Sequence, residues 1–415
     1  MSRRLKRVMI VMATCVLPMG FVCFVQCQEP DKRNEGLGSG RTYFVAKSGS
    51  DDNAGFEESP WLTIQKAADS MRPGDTVYVR KGLYKESITI KRSGKEGKRI
   101  TFTAHEGDKV EIKARFCHGF YVEADYITIR GFKISHAYHR DGEGSYDWTA
   151  SGITTHGSYN IFEHNEISDS MYGIMVRLNP EEKVRPSSEG SNVIRYNYIH
   201  DTDLAAIRVK RSDHNVIDGN TFERNHLQES VFRDENGKPL FYTEASVVFY
   251  VLDGLTLTNN KFREPKYGPL ILELDMTTRT PKPPSQPPNT EGTRTHKTVN
   301  NVTITGNLGF KFKNKNDPIM LVLGRDFALG NGHDINRNGW SSGRPGSKMV
   351  EWGYNFWHDN DKDDGITPSV WTLKEFQEHS GFDTESTDLL PPKPGKLHEK
   401  PRPNTPAGGK IKSGH

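Results

Sequence analysis

Three short stretches align when the chain is read for residues that could do chemistry: "GITTH" (152–156), "GIMVR" (173–177) and "AIRVK" (206–210). Ile153, Ile174 and Ile207 take the inward position of a half-buried strand, so the last residue of each stretch points outward: His156, Arg177 and Lys210. Arg208 lies on the same side as Lys210. Stacked as parallel neighbours about 4.8 Å apart, the three strands would carry one column of bases on the solvent face of a single sheet. Like charges this close repel, so the column predicts an anionic ligand or nearby acids. A uronic-acid polysaccharide suits it: Arg177 can clamp a carboxylate in bidentate fashion, and a lysine crowded by cations releases its proton more readily. Lys210 is then the candidate base for the proton α to that carboxylate, the first step of a β-elimination. Tyr138, Tyr146 and Trp148, in and beside the loop "HRDGEGSYDW", are candidates for stacking on sugar rings.

Two other readings of these residues stay open. The charges could be a solvated face neutralised by Asp169, Asp201 and Asp203, in a protein that binds carbohydrate without turning it over. A hydrolase would need two carboxylates across the scissile bond, and Glu273 with Asp275, or Asp141, Glu143 and Asp147, could supply them. The histidines, among them His136, His164, His200 and His214, have no zinc-site spacing. Nucleotide-binding fingerprints and nucleophile elbows are absent.

The elements that would position the column repeat along the chain. "YITIRGFKI" (126–134), "YNIFEHNEI" (159–167), "SNVIRYNYI" (191–199), "HNVIDGNTF" (214–222), "GLTLTNNKF" (254–262) and "NVTITGNLGF" (301–310) share one pattern: a strand of β-branched or aromatic residues, a polar turn, another apolar residue. Aligned on Gly131, Asn165, Asn197, Asn220, Asn260 and Asn307, the steps are 34, 32, 23, 40 and 47 residues. The shortest leaves room for about three strands of roughly five residues with their turns. Irregular steps of this size mark a solenoid with insertions in its loops, and the expectation is an all-β, right-handed parallel β-helix. The turn asparagines should stack as a ladder, each amide bonding the next coil.

Upstream, Ile64, Ala67, Ala68 and Met71 mark the apolar face of a short helix that Pro73-Gly74 ends, read as an N-terminal cap. "SDDNAG" (50–55) suits a turn or a hard cation. Asn236-Gly237 predicts a hairpin turn, and 277–296 is a Pro-rich exposed loop. The expected organisation is a signal peptide over 1–27, a linker over 28–41, the β-helix over 42–340, a C-terminal cover over 341–390 and a disordered tail over 391–415.

The 415 residues are 34% hydrophobic, with 39 Gly and 23 Pro, and a mean hydropathy of −0.71. This describes a turn-rich chain, and no segment after the leader is apolar enough to span a bilayer. Arg3, Arg4, Lys6 and Arg7 precede an apolar run with small residues near Gln28, the pattern of an export signal into the periplasm or medium; a lipoprotein or retained anchor is the lesser alternative. Those four cations account for the net charge of +3 and leave −1 for the rest, so nothing global favours nucleic acid. Cys15, Cys23 and Cys27 lie in the leader, which leaves Cys117 alone and no intramolecular disulfide; the mature chain is expected to be a monomer.

The block "YFVAKSGSDDNAG...PWLTIQKAADSMRPGDTVYVRKGLYKE", with the coil pattern over roughly 42–323, resembles secreted right-handed β-helix proteins of the pectate-lyase-like superfamily. That superfamily holds lyases, hydrolases, epimerases and non-catalytic surface proteins. Locally, "DLAAIRVKRSDHNVIDGNTF" is similar to the catalytic coil of polysaccharide lyase family six, the chondroitinase B and alginate lyase type, whose Glu-x-Glu-Ile-Ile-x-x-Lys-Ser-x-x-Asn stretch carries a lysine base and calcium-binding acids. The resemblance places Lys210 on the base, Asn215 and Asn220 on the turn asparagines, and Asp203 on the first acid. Ala205 stands where the second acid would be. Arg233 matches the family's catalytic arginine at a spacing two residues longer. Calcium is the implied cofactor, with Asp201 and Asp203 as its oxygen ligands; the Asp-Gly-x-x-x-Lys block of family nine pectate lyases has no equivalent here.

Overall fold

The computed structural model describes residues 40–137, 150–177, 190–210, 212–225, 227, 231–233, 239–242, 246–250, 254–264, 270–273, 301–310, 321–323, 334–337, 339–341, 348–352, 369–372, 378 and 387–388, with several later strands described by their backbone alone. Among these residues the chain winds through three ten-stranded sheets in turn. One coil runs Ile161–Glu163 in the first sheet, Glu166–Ser170 in the second and Tyr172–Arg177 in the third; the next runs Val193–Arg195, Tyr198–Thr202 and Ile207–Lys210. Neighbouring coils pair in parallel and in register, and the architecture is a right-handed parallel β-helix, the hand that parallel crossovers take.

The period-two pattern places one residue set inside the coil. In the third sheet Ile88, Phe120, Ile153, Ile174, Ile207 and Val247 follow one another in register, all wholly buried. Stacking of like apolar residues supplies the core, since the free cysteine Cys117 contributes no cross-link. Where the second sheet turns into the third, backbone and core crowd together. A Cβ at Gly152 would lie 2.5 Å from Ile167 Cγ2, and one at Gly173 would lie 2.4 Å from Ile199 Cγ2, so these corners admit only hydrogen.

Turn asparagines fasten the first sheet to the second. Asn165, Asn197, Asn220 and Asn260 each donate a backbone N–H to the side-chain oxygen of the next asparagine, at 2.9–3.0 Å, ending on Asn307. Their amide nitrogens donate to backbone carbonyls of the coil before. The ladder is the expected one with a shift at its start. Phe132, whose N–H donates to Asn165, holds the asparagine level, and Gly131 holds the left-handed position shared with His164 and Tyr196. A second ladder, not foreseen from the repeat, joins Asn160, Asn192 and Asn215 before the first sheet.

The helix Ile64–Ser70 buries Ile64, Ala67 and Ala68 in the same core as Val45 and Ile90. Asp51 accepts the Leu62 and Thr63 backbone N–H groups and the Thr63 hydroxyl, so "SDDNAG" closes a turn onto the helix entry. Burial raises the Glu86 carboxyl above its ordinary range, although it accepts the Ile64 and Gln65 N–H groups. At the other end the third sheet takes in Lys348–Trp352, past the expected limit of 340, and then adds Ser369–Thr372 in antiparallel fashion.

Candidate active site on the third sheet

The outer faces of the three sheets differ in how they arrange charge. On the first sheet one row in register reads Arg130, Glu163, Arg195, Asp218; on the second a row reads Glu111, Lys133, Glu166. Signs alternate, and the pairs close: Arg195 to Glu163 at 2.7 Å, Lys133 to Glu166 at 2.8 Å. The third sheet departs from this rule. Arg177 pairs in register with Lys210, and Thr155 with Val176, which sets His156 beside Arg177. Continued outward, the row reads Glu123, His156, Arg177, Lys210, Tyr250, Glu273, so three basic residues occupy successive coils between two acids. Adjacent unit charges at this spacing cost about 1 kcal/mol each at water-like screening and more where screening is weaker.

This face is only partly open. His156, Arg177, Arg208 and Lys210 are half-buried, and around them Tyr172 is 1% exposed, Met175 3% and Val248 0%. These three pack with Leu204 and Ala205 in a cluster outside the main core. The face expected to be bare to solvent is thus a walled one, and a charge there is screened less than on a free surface. Arg208 is held in place on this cluster: its guanidinium lies over the Tyr172 ring, 5.3 Å from the centroid, and donates to the Tyr172 hydroxyl.

On the N-terminal side of the column, Tyr121 lies between two imidazoles, 5.0 Å from His118 and 5.2 Å from His156. Thr154, wholly buried, hydrogen-bonds His118 Nδ1 at 2.9 Å and also the Ser151 hydroxyl. Sequence reading missed Tyr121, His118 and Tyr172. Tyr121 has outward parity in its strand, but His118 and Tyr172 share the parity of the inward Phe120 and Ile174, so a period-two reading places them inside; their types also differ from coil to coil, so no repeat marks them.

The remaining expected site residues fall elsewhere. Asp201 ends the second-sheet strand Tyr198–Thr202 in a left-handed conformation, φ 52°. Both its oxygens accept from Arg224, at 2.7 Å each, and one also meets His200 Nδ1 at 2.7 Å. Burial alone would raise its pKa, but the Arg224 and His200 hydrogen bonds outweigh it and hold the carboxyl below its ordinary value. A carboxylate engaged in this way is a poor calcium ligand. Asp203 follows in the turn to the third sheet, its N–H donating to Ser170. Among the described residues no three His, Cys, Asp or Glu side chains converge as a metal site, and of the two acids the resemblance implied Asp201 is already engaged by Arg224 and His200.

Arg233 does not take the place one coil after Lys210 that the resemblance suggested. Tyr250 occupies that register position, and Arg233 lies on the antiparallel pair Val231–Arg233 and Pro239–Tyr242, inserted before the strand Val247–Tyr250. Tyr138, Tyr146 and Trp148 lie outside the described residues, in the segment that leads into Ser151–Thr155. Asp141, Glu143, Asp147 and Asp275 lie outside them too, while Glu273 follows Tyr250 in the row.

Residues 43–225 match the family described as "Pel9A-like, right handed beta helix region". Together with the three sheets, this shows a right-handed parallel β-helix that is similar, over somewhat less than half of the chain, to the Pel9A-like region. The chain is 38% identical over 98 residues to the uncharacterized protein YwoF of Bacillus subtilis (strain 168), covering 24% of this chain and 21% of that one. It is 28% identical over 145 residues to pectate lyase L of Dickeya chrysanthemi, covering 31% of this chain and 32% of that enzyme. The complex of XylC with xylose shares the fold, with a TM-score of 0.54 at 16% identity over 74% of this chain and 66% of the other. The two curated relatives are thus matched over about a fifth and about a third of their own lengths.

Proposed function

We propose that this protein acts on acidic polysaccharide as a lyase, cleaving a uronic-acid glycoside by β-elimination. The observation that carries the reading is the register pair Arg177 and Lys210 in an all-basic stretch of a face whose counterparts on the other sheets alternate in sign. The partial matches to a Pel9A-like region and to pectate lyase L support it. Arg177 binds the uronate carboxylate and stabilises the charge that builds there as the α proton leaves. Lys210, entering as the free amine, takes that proton from C5. The electron pair forms the C4–C5 double bond, the C4–O bond breaks, and the departing oxygen takes a proton from water. His156 extends the anion-binding row, and Arg208, fixed on Tyr172, contacts a neighbouring part of the polymer.

These steps are carried by the chain's own residues, and Asp201, held by Arg224 and His200, takes no part in them. Export by residues 1–27 belongs to the same reading, since polysaccharides of this kind lie outside the cytoplasm; among the described residues no helix is long and apolar enough to cross a membrane.

The test is absorbance in the ultraviolet band of unsaturated uronides. The purified protein is mixed with alginate, pectate or glycosaminoglycans, with calcium or chelator, beside Lys210→Ala. A rising signal abolished by the substitution establishes the lyase and its base. New reducing ends without that band would make it a hydrolase, with Glu273 as the first carboxylate to replace. Neither product would leave a binding protein.

A further inference from the structure

Of Tyr121, His118 and His156 only His156 has a place in the proposed elimination, in the anion-binding row, yet the three rings form one grouping at the N-terminal end of that row. Row position fixes where it stands relative to the reacting centre. His156 is two coils before Lys210, and Tyr121 and His118 three coils, which is roughly 10 and 14 Å at the strand spacing of parallel sheets. One coil advances by close to the length of one sugar in an extended polymer. A chain lying along the solenoid with its scissile bond at Lys210 therefore brings a sugar two or three units away over Tyr121.

The three rings are half-buried, so part of each remains accessible. The His118 ring is held from below: Thr154 bonds His118 Nδ1, Ser151 bonds Thr154, and both hydroxyl residues are wholly buried. Tyr121 contacts His156 edge-on at 60° and His118 at 35°, an arrangement that holds the phenol ring between them. A preset aromatic surface with imidazole nitrogens at its rim suits a pyranose, which offers C–H groups on its faces and hydroxyls at its edge. At the corresponding outward position the following coils carry Thr154, Met175, Arg208 and Val248, none of them aromatic.

We infer that Tyr121, flanked by His118 and His156, is a distal sugar subsite that binds the polymer two to three units from the bond cleaved at Lys210. This rests on the lyase reading for its reference point, and it makes the protein selective for long substrates. A trimer placed for cleavage at Lys210 has too few units on that side to use the shelf fully.

The experiment compares KM and kcat on a polyuronate and on its trimer for the unmodified protein, Tyr121→Ala and Tyr121→Phe, with thermal melting to check that each variant folds. For Tyr121→Ala the expected rise in KM on polymer is about five- to tenfold, the range of an aromatic contact. It should exceed the change on trimer at least about fivefold, and Tyr121→Phe should restore most of the loss. Equal changes on polymer and trimer, or none, would overturn the subsite. If no substrate is turned over, the lyase reading fails, and retardation in polyuronate-containing gels decides the shelf separately. Weaker retardation of Tyr121→Ala than of Lys210→Ala supports it, and unaltered retardation of Tyr121→Ala overturns it.

Discussion

Arg177 and Lys210 are register partners on adjacent coils, both on the outer face of the third sheet and both half-buried. Their roles in the proposed elimination are distinct, and substitution should separate them. Lys210→Ala removes the base and should lower kcat about 10²- to 10⁴-fold. Arg177→Lys keeps the charge but loses the planar two-donor fork, so kcat should fall about 10²-fold with a smaller rise in KM. Initial rates at saturating polyuronate check both. Equal activity of Arg177→Lys and the unmodified protein would remove the bidentate clamp from the mechanism.

The same pair bears on stability. Replacing Arg177 by Glu would give the row the sign alternation that Arg130, Glu163 and Arg195 already have on the first sheet. A favourable cross-strand pair in place of a like-charge one should stabilise the fold by about 0.5 to 1 kcal/mol while abolishing activity. Urea unfolding followed by circular dichroism reads the midpoint. A midpoint that falls would mean that the basic row is already compensated in the folded protein.

Period and type made the coils legible in the sequence. Ile153, Ile174 and Ile207 recur at one strand position because the interior repeats, and Asn165, Asn197 and Asn220 recur because a buried turn amide must meet its equivalent in the next coil. The first copy misled by one residue, since Phe132 fills the asparagine level and only Gly131 resembles a turn signal. Asp201 misled more seriously. Its partner Arg224 is 23 residues away, one coil on, and an Asp-x-Asp motif reads as a cation site until that coil is in place. The basic row was visible because three residues share a charge; Tyr121 and His118 share only a location, which register alone reveals.

Acid should loosen the second sheet. The His200 imidazole, 3.6 Å away, and the Lys133 ammonium, hydrogen-bonded at 2.8 Å, hold the Glu166 carboxyl down at about 2, against an ordinary 4.5. The unfolded chain therefore takes up a proton before the folded one, and stability rises with pH across that interval. The contribution is whole above about pH 4.5 and is lost as pH falls toward 2. Glu166 is about a third exposed, which reduces the effect to roughly 1 kcal/mol after solvent screening. Glu166→Gln should flatten the pH dependence of the urea midpoint over that window; an unaltered slope would place the acid sensitivity elsewhere, with Asp201 the next carboxylate to test.

The asparagine ladder should be the least tolerant feature of the fold. Asn197 is wholly buried, accepts from the Asn165 backbone and amide, and donates its own amide to the Phe162 carbonyl and the Asn220 side chain. Truncation to Ala strands the Asn165 N–H and the Phe162 carbonyl away from water, so the cost is the desolvation of those groups rather than the modest net value of the bonds. Asn197→Ala should lower stability by about 2 to 4 kcal/mol. Asn197→Asp keeps the acceptor for Asn165 but removes the donor and buries a charge, so it should be at least as harmful. Thermal unfolding of the two variants beside Asn259→Ala is the measurement, because Asn259 sits one residue before the ladder and reaches outward to Asp218. Comparable losses at Asn197 and Asn259 would show that the turn conformation, and not the buried amide chain, holds the coils in register.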